Sequence, residues 1–199
     1  MSDPEVHAAA GVAPDASVAP DEAGPLVPSS SFDAVHRLWS FLARDARKGG
    51  ITPGDAAALR RMDPEDPPRC LWRVLAGEEI SAEREREWAM LASIGATLVG
   101  AGLHRPKVRL GRVLAGPPPY SDLRLARLLD APPDRLWTEL RSCVRFLEQK
   151  QQEVDLDDFA RLILLSPDKK DARPGESISP AERHRRWIAR DYYTHLPRD

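Results

Sequence analysis

From Phe32 onward, apolar residues recur at the spacing of a helix face. Phe32, Val35, Leu38, Trp39 and Leu42 fall three and four apart, and Ser30 with Asp33 can cap the start, which predicts an amphipathic helix to about Arg47. Gly49-Gly50 stops it. Thr52-Pro53-Gly54-Asp55 then predicts a shorter helix carrying Leu59, Arg60, Arg61 and Met62, ended by the run Asp63-Pro64 to Pro67-Pro68. Cys70, Leu71, Val74 and Leu75 form a brief apolar stripe closed by Gly77. Ser81, with Glu83 and Glu85 in the first turn, is expected to open a long helix whose Trp88, Leu91, Ala92, Leu98 and Val99 face one way and bury deeply.

A basic loop from His104 to Arg109 follows, and Leu110 to Ala115 reads as a turn or two of helix ended by Gly116 and Pro117 to Pro119. Ser121 can cap a helix bearing Leu125, Leu128 and Leu129; Pro132-Pro133 introduces another with Leu136, Leu140, Val144 and Leu147. Leu156, Phe159, Leu162 and Ile163 define a helix starting at Asp155, and residues 166–178, polar with two prolines, read as a mobile loop. Ser179-Pro180-Ala181-Glu182 joins a capping serine, a first-turn proline and a glutamate three residues after the cap, so a last helix starts there. No alternating strand flanked by hairpin turns and no fixed-period repeat is visible. The predicted fold class is all-α, with two small helical lobes of the bundle type at 32–116 and 117–199.

Composition changes the picture at the N-terminus. Residues 1–31 hold seven Ala, five Pro and five acids with no Lys or Arg, too few large apolar side chains to offset the entropy of ordering, so a disordered acidic tail is expected. The 168 residues that remain carry 29 bases against 26 acids, and between Arg105 and Arg145 there are nine bases against four acids. That segment is the candidate surface for a polyanion. Arg outnumbers Lys 24 to 5, which suits bidentate phosphate contacts and equally follows from GC-rich coding. No apolar run approaches the length of a membrane span, and a basic leader with an apolar signal core is lacking, so a cytoplasmic protein is expected. Two cysteines, Cys70 and Cys143, supply neither a disulfide framework nor a paired-cysteine zinc signature.

The usual catalytic constellations do not form in the sequence. His7, His36, His104, His184 and His195 are scattered, and Gly95, Gly100 and Gly102 follow no strand and precede no Lys-Ser or Lys-Thr pair. Asp155, Asp157 and Asp158 read as acids complementing a positive helix end rather than as cation ligands. Neither a catalytic residue, a metal site nor a cofactor is predicted. The arginines are the better lead. Arg124 with Arg127, three apart, and Arg141 with Arg145, four apart, each project from one helix face, and Arg60 and Arg61 point about 100° apart. Spacing alone favours an ordinary solvated face over an anion site. Trp39, Trp72, Trp88, Trp137 and Trp187 mostly fall on or beside apolar stripes, so core packing is their expected role, and any nucleic-acid binding should act through the backbone and weaken with salt.

Six segments in order carry something more specific. They are Gly54-Asp55-Ala56-Ala57-Ala58-Leu59-Arg60-Arg61, Arg109-Leu110-Gly111-Arg112-Val113-Leu114-Ala115, Leu123-Arg124-Leu125-Ala126-Arg127-Leu128-Leu129, Glu139-Leu140-Arg141, Val154-Asp155-Leu156 and Arg186-Trp187-Ile188-Ala189-Arg190-Asp191-Tyr192-Tyr193. Together they resemble the CasB family, the small subunit of the type I-E CRISPR surveillance complex Cascade, over nearly all of residues 33–195. The resemblance implies a non-enzymatic, all-helical protein of two lobes, present as two head-to-tail copies along the complex. Its implied partners are the guide-RNA-bound backbone subunits, the large subunit, a second copy of itself, the guide RNA and the displaced DNA strand, with no membrane.

Carried over by motif, the resemblance implies nucleic-acid contacts at Arg60, Arg61, Arg112, Arg124 and Arg141; spacing and charge add Lys107, Arg109, Arg127 and Arg145. Ser142 stands where the family often has another base after Arg141, and residues 166–178 form an extra loop. A helical scaffold touching only protein is the alternative reading of the same charged faces.

Overall fold

A computed structural model describes residues 29–78, 80–165 and 178–197, with side chains in the first helix from Phe32. The expected tail, 1–31, lies outside the described residues up to residue 28, and the expected loop, 166–178, up to residue 177. Nine α-helices and no sheet form among the described residues: α1 Ser29–Ala43, α2 Pro53–Arg61, α3 Cys70–Val74, α4 Glu85–Leu98, α5 Leu110–Leu114, α6 Asp122–Leu129, α7 Pro133–Lys150, α8 Leu156–Leu164 and α9 Pro180–His195. The protein is all-α.

Side-chain caps set the starts of three of these helices. The Thr52 hydroxyl accepts from the Asp55 N–H at 3.1 Å with Pro53 in the first turn, the Asp155 carboxylate accepts from the Asp157 N–H, and the Ser179 hydroxyl accepts from the Glu182 N–H at 3.2 Å. Several boundaries depart from the sequence pattern. Helix α1 begins at Ser29, ahead of the expected cap at Ser30, and α6 follows Ser121 without a side-chain bond from that serine. The first helix stops at Ala43 rather than near Arg47, because Asp45 caps a single 3-10 turn over Ala46–Lys48 and the chain doubles back. A Cβ on Gly50 would lie 1.9 Å from the Arg44 carbonyl oxygen, so only glycine allows that return. Ser81 opens a 3-10 turn over Ala82–Arg84 without a side-chain cap, and the α-helix proper begins at Glu85.

The core is built around α4, in which every residue from Trp88 to Ala96 is buried. Helices α1, α2, α7 and α8 all pack on it. A helix enclosed on all sides must let neighbours approach closely, and Gly95 does so: a Cβ there would stand 2.5 Å from the Trp39 ring and 2.6 Å from Leu42 of α1. The buried apolar side chains form one continuous cluster from Ala34 to Tyr192. The second organising contact is α5 against α9, where the Gly111 position sits against α9 backbone.

Candidate nucleic-acid interface

The loop before α5 is held by carboxylates that use its backbone and leave its basic side chains outside. Arg105 N–H donates to the Val154 carbonyl at 3.0 Å, and the Asp155 N–H donates to the Val108 carbonyl at 2.7 Å. Lys107 N–H donates to Asp155 Oδ2 at 2.6 Å, Leu110 N–H to Asp158 Oδ2 at 2.7 Å and Arg112 N–H to Asp191 Oδ2 at 2.8 Å. The orphan N–H groups at the start of α5 therefore find their acceptors on α8 and α9. Gly111 makes the approach to α9 possible, since a Cβ would fall 2.5 Å from the Ile188 carbonyl oxygen and 3.0 Å from the Tyr192 nitrogen. Lys107, Arg109 and Arg112 are exposed as a result, with the Arg109 guanidinium 5.0 Å from the centre of the Trp187 ring.

Beneath this loop lies a buried polar pair. His184 Nε2 is 3.1 Å from the Asp158 carbonyl oxygen and 3.8 Å from its Oδ1. Burial pushes the Asp158 carboxyl up to about 7 and the His184 imidazole down to about 4, each toward its neutral form. The Asp155, Asp157 and Asp158 acids serve as helix cap, partner of His36 at 3.0 Å and acceptor for α5, respectively.

A second basic group lines a pocket of about 200 Å³ between α2, α4 and α7. Arg60, Arg141 and Arg145 converge there with Ser93, Thr97, Trp137 and Glu148. The Arg141 guanidinium lies 5.6 Å from the centre of the half-buried Trp137 ring, which orders the cation without neutralising it. Arg61, also exposed, ends α2 outside this pocket's lining. The third group is on α6, where Arg124 lies 5.9 Å from the Tyr120 ring and Arg127 lines a shallow depression with Arg135, Asp130 and Glu139. Helix α9 touches both α5 and α6. Its Tyr192 hydroxyl shares its proton between the Tyr120 carbonyl at 2.5 Å and Asp122 Oδ1 at 3.0 Å, and burial and Asp122 push that phenol up to about 12.

Eight of the nine expected contact residues thus fall into three groups rather than one row, and Arg61 stands apart from them. None of the nine forms an ion pair among the described residues, and Arg44, Arg47, Arg69, Arg135, Arg185 and Arg190 likewise form none there. By contrast Arg37, Arg73, Arg84, Arg86, Arg105 and Arg186 are each bound to a carboxylate. Unpaired guanidinium groups on helices, some stacked on aromatic rings, are chemistry for phosphate oxygens. Both cysteine thiols are pushed up by burial, and no cluster of three metal-ligating side chains occurs among the described residues.

Several residues of this interface escaped sequence reasoning. Trp137 sits four positions before Arg141, and that spacing was its available signal. Asp158 and Asp191 carried none as partners of α5, since their contacts span 48 positions to Leu110 from Asp158 and 79 to Arg112 from Asp191.

Comparison with known proteins bears on the whole arrangement. Two solved structures share the fold. One is the crystal structure of CasB from Thermus thermophilus, 23% identical, covering 80% of this chain and 97% of that one with a TM-score of 0.55. The other is the crystal structure of a CRISPR-associated protein of the Cse2 family, also from Thermus thermophilus, 21% identical, covering 82% and 97% with a TM-score of 0.53. A search of curated proteins finds no match. The family model described as CRISPR-associated protein Cse2 matches residues 55–193, a stretch that runs from within α2 to within α9 and takes in all three groups of unpaired bases. With that span matched and the fold shared, the chain belongs to the CRISPR-associated Cse2 family.

Proposed function

We propose that this protein is a non-catalytic small subunit of the type I-E Cascade complex, holding the displaced non-target DNA strand on its basic side while bracing the guide-RNA-bound backbone. The supporting observation is the set of nine exposed or half-exposed bases, Arg60, Arg61, Lys107, Arg109, Arg112, Arg124, Arg127, Arg141 and Arg145, that have no carboxylate partner among the described residues. An unpaired guanidinium is free to release counterions when it meets a phosphate, which is the main source of sequence-independent affinity. R-loop formation exchanges one duplex for another at nearly equal stability, so a few such contacts to the freed strand tip the balance.

In this reading the segments 32–116 and 117–199 act as two lobes along the strand, next to a second copy of the chain and the large subunit. Among the described residues no helix is long and apolar enough to cross a membrane, in keeping with a cytoplasmic complex. The test is footprinting of the displaced strand in reconstituted complex on a matched target. An Arg112→Glu, Arg124→Glu, Arg141→Glu triple variant retained as well as wild type should lose protection of that strand. Unchanged protection would make the chain a scaffold that touches only protein.

A further inference from the structure

Three large apolar side chains stand exposed among the described residues: Trp72, Leu123 and Tyr193, at 43%, 63% and 55%. Two of them lie on helices that touch, α6 and α9. Because the Tyr192 hydroxyl reaches Asp122 and the Tyr120 carbonyl, the last turn of α9 sits on the first turn of α6, where Leu123 follows Asp122. The Tyr193 ring is steadied by its contact with Tyr192, centroids 5.1 Å apart and planes at 84°, while more than half of the residue faces solvent. Cations stand on the same and the neighbouring helices. Arg124 follows Leu123, Arg112 is tied by its backbone to Asp191, and exposed Arg190 lies three positions before Tyr193 on the same side of α9. None of these three forms an ion pair among the described residues.

We propose that Tyr193 is a stacking platform for a nucleobase of the displaced strand whose backbone passes Arg112, Arg124 and Arg190, with Leu123 as an apolar wall beside it. This rests on the strand-holding role above and extends it from phosphates to bases. The centre of a protein–protein contact is depleted in charge, whereas an exposed aromatic ring on a surface of unpaired guanidinium groups is the arrangement of single-strand binders. A duplex offers no free base face to such a ring; a displaced strand does.

The experiment uses the full chain at low salt with two DNA 20-mers of equal charge, one bearing bases and one abasic throughout. Wild type should bind the base-bearing strand more tightly by about fivefold or more, the yield of one stacked base. Tyr193→Ala should lose that preference yet keep its affinity for the abasic strand, and Tyr193→Trp should keep the preference. Equal binding of both strands by wild type, or an undiminished preference in Tyr193→Ala, would overturn the platform while leaving backbone binding in place. Failure of wild type to bind either strand would overturn the strand-holding role itself. A preference seen with RNA 20-mers and not with DNA would overturn the assignment to the displaced strand. Loss of Tyr193→Ala from the reconstituted complex with its base preference intact would make this surface a protein contact.

Discussion

Arg112 donates its backbone N–H to Asp191 Oδ2 at 2.8 Å, so the residue that offers a cation to solvent is itself fixed by an anion behind it. Asp191 is buried and meets Arg112 only through the main chain, which spares the guanidinium from neutralisation. The same division of labour recurs at Lys107 with Asp155. Carboxylates hold the backbone and basic side chains face outward.

Removing that acceptor should therefore cost stability before it touches charge. Asp191→Ala leaves a half-buried N–H unsatisfied and should lower the unfolding free energy by about 1–3 kcal/mol, measured from urea midpoints. Asp191→Asn keeps an acceptor and should cost less. Equal losses in the two would show that the hydrogen bond to Arg112 is not what Asp191 contributes.

Gly111 supplies the space that brings Arg112 to Asp191. Gly111→Ala places a methyl 2.5 Å from the Ile188 carbonyl oxygen, backbone against backbone, so α5 must lift from α9 at about 1–3 kcal/mol. Gly54→Ala meets nothing nearer than the Thr52 hydroxyl at 3.9 Å and should instead stabilise, by about 0.4–1 kcal/mol. Thermal unfolding of the two variants should thus move in opposite directions.

Which of these relations the sequence discloses follows from distance along the chain. Helix starts are local: Ser179 reads as a cap and is one, and Thr52 and Asp155 cap the helices expected to begin at them, whereas Ser81 and Ser121 open their helices without a side-chain bond. The apolar stripe of α4 was visible in Trp88, Leu91 and Leu98, but Met90 and Ile94 off that stripe are equally buried, because α1, α2, α7 and α8 enclose the helix from several sides. Tertiary enclosure leaves no periodic mark. The basic residues were legible as candidates; that Arg60 of α2 shares a pocket with Arg141 and Arg145 of α7 depends on both helices meeting α4. Asp158 looked like a helix-start acid, since its second task at Leu110 is set by a fold contact with no local spacing rule.

The Asp158 and His184 pair makes opposed contributions to acid stability. His184 has a native value near 4, below its ordinary 6.5, so its contribution is present above 6.5 and is lost as pH falls toward 4. Asp158 has a native value near 7, above its ordinary 3.8, so its contribution is present below 3.8 and is lost as pH rises through 7. Relative to wild type, Asp158→Asn should lose stability more steeply as pH is lowered from 6.5 to 4, by up to about 1.4 kcal/mol per pH unit. His184→Gln should lose it more steeply as pH rises from 4 to 7. Urea midpoints measured across that window check both, and profiles parallel to wild type would show that the two groups titrate as solvated ones.

The contrast between paired and unpaired arginines can be read directly in salt dependence. Each single-strand phosphate neutralised contributes about 0.7 to the slope of log affinity against log salt, so three to five contacts give a slope of roughly −2 to −4. Arg60→Ala, Arg141→Ala and Arg145→Ala together empty one pocket of its cations and should flatten the slope by about 2 if all three meet phosphates. Arg37→Ala and Arg86→Ala remove the same formal charge per residue from sites where Glu78 and Glu65 already neutralise it, and should leave the slope unchanged. Net charge alone would predict similar shifts per arginine from both sets. Single-strand affinity measured over a range of salt concentrations therefore separates a general basic surface from contacts made by specific unpaired side chains, and equal slopes in the two variants would favour the former.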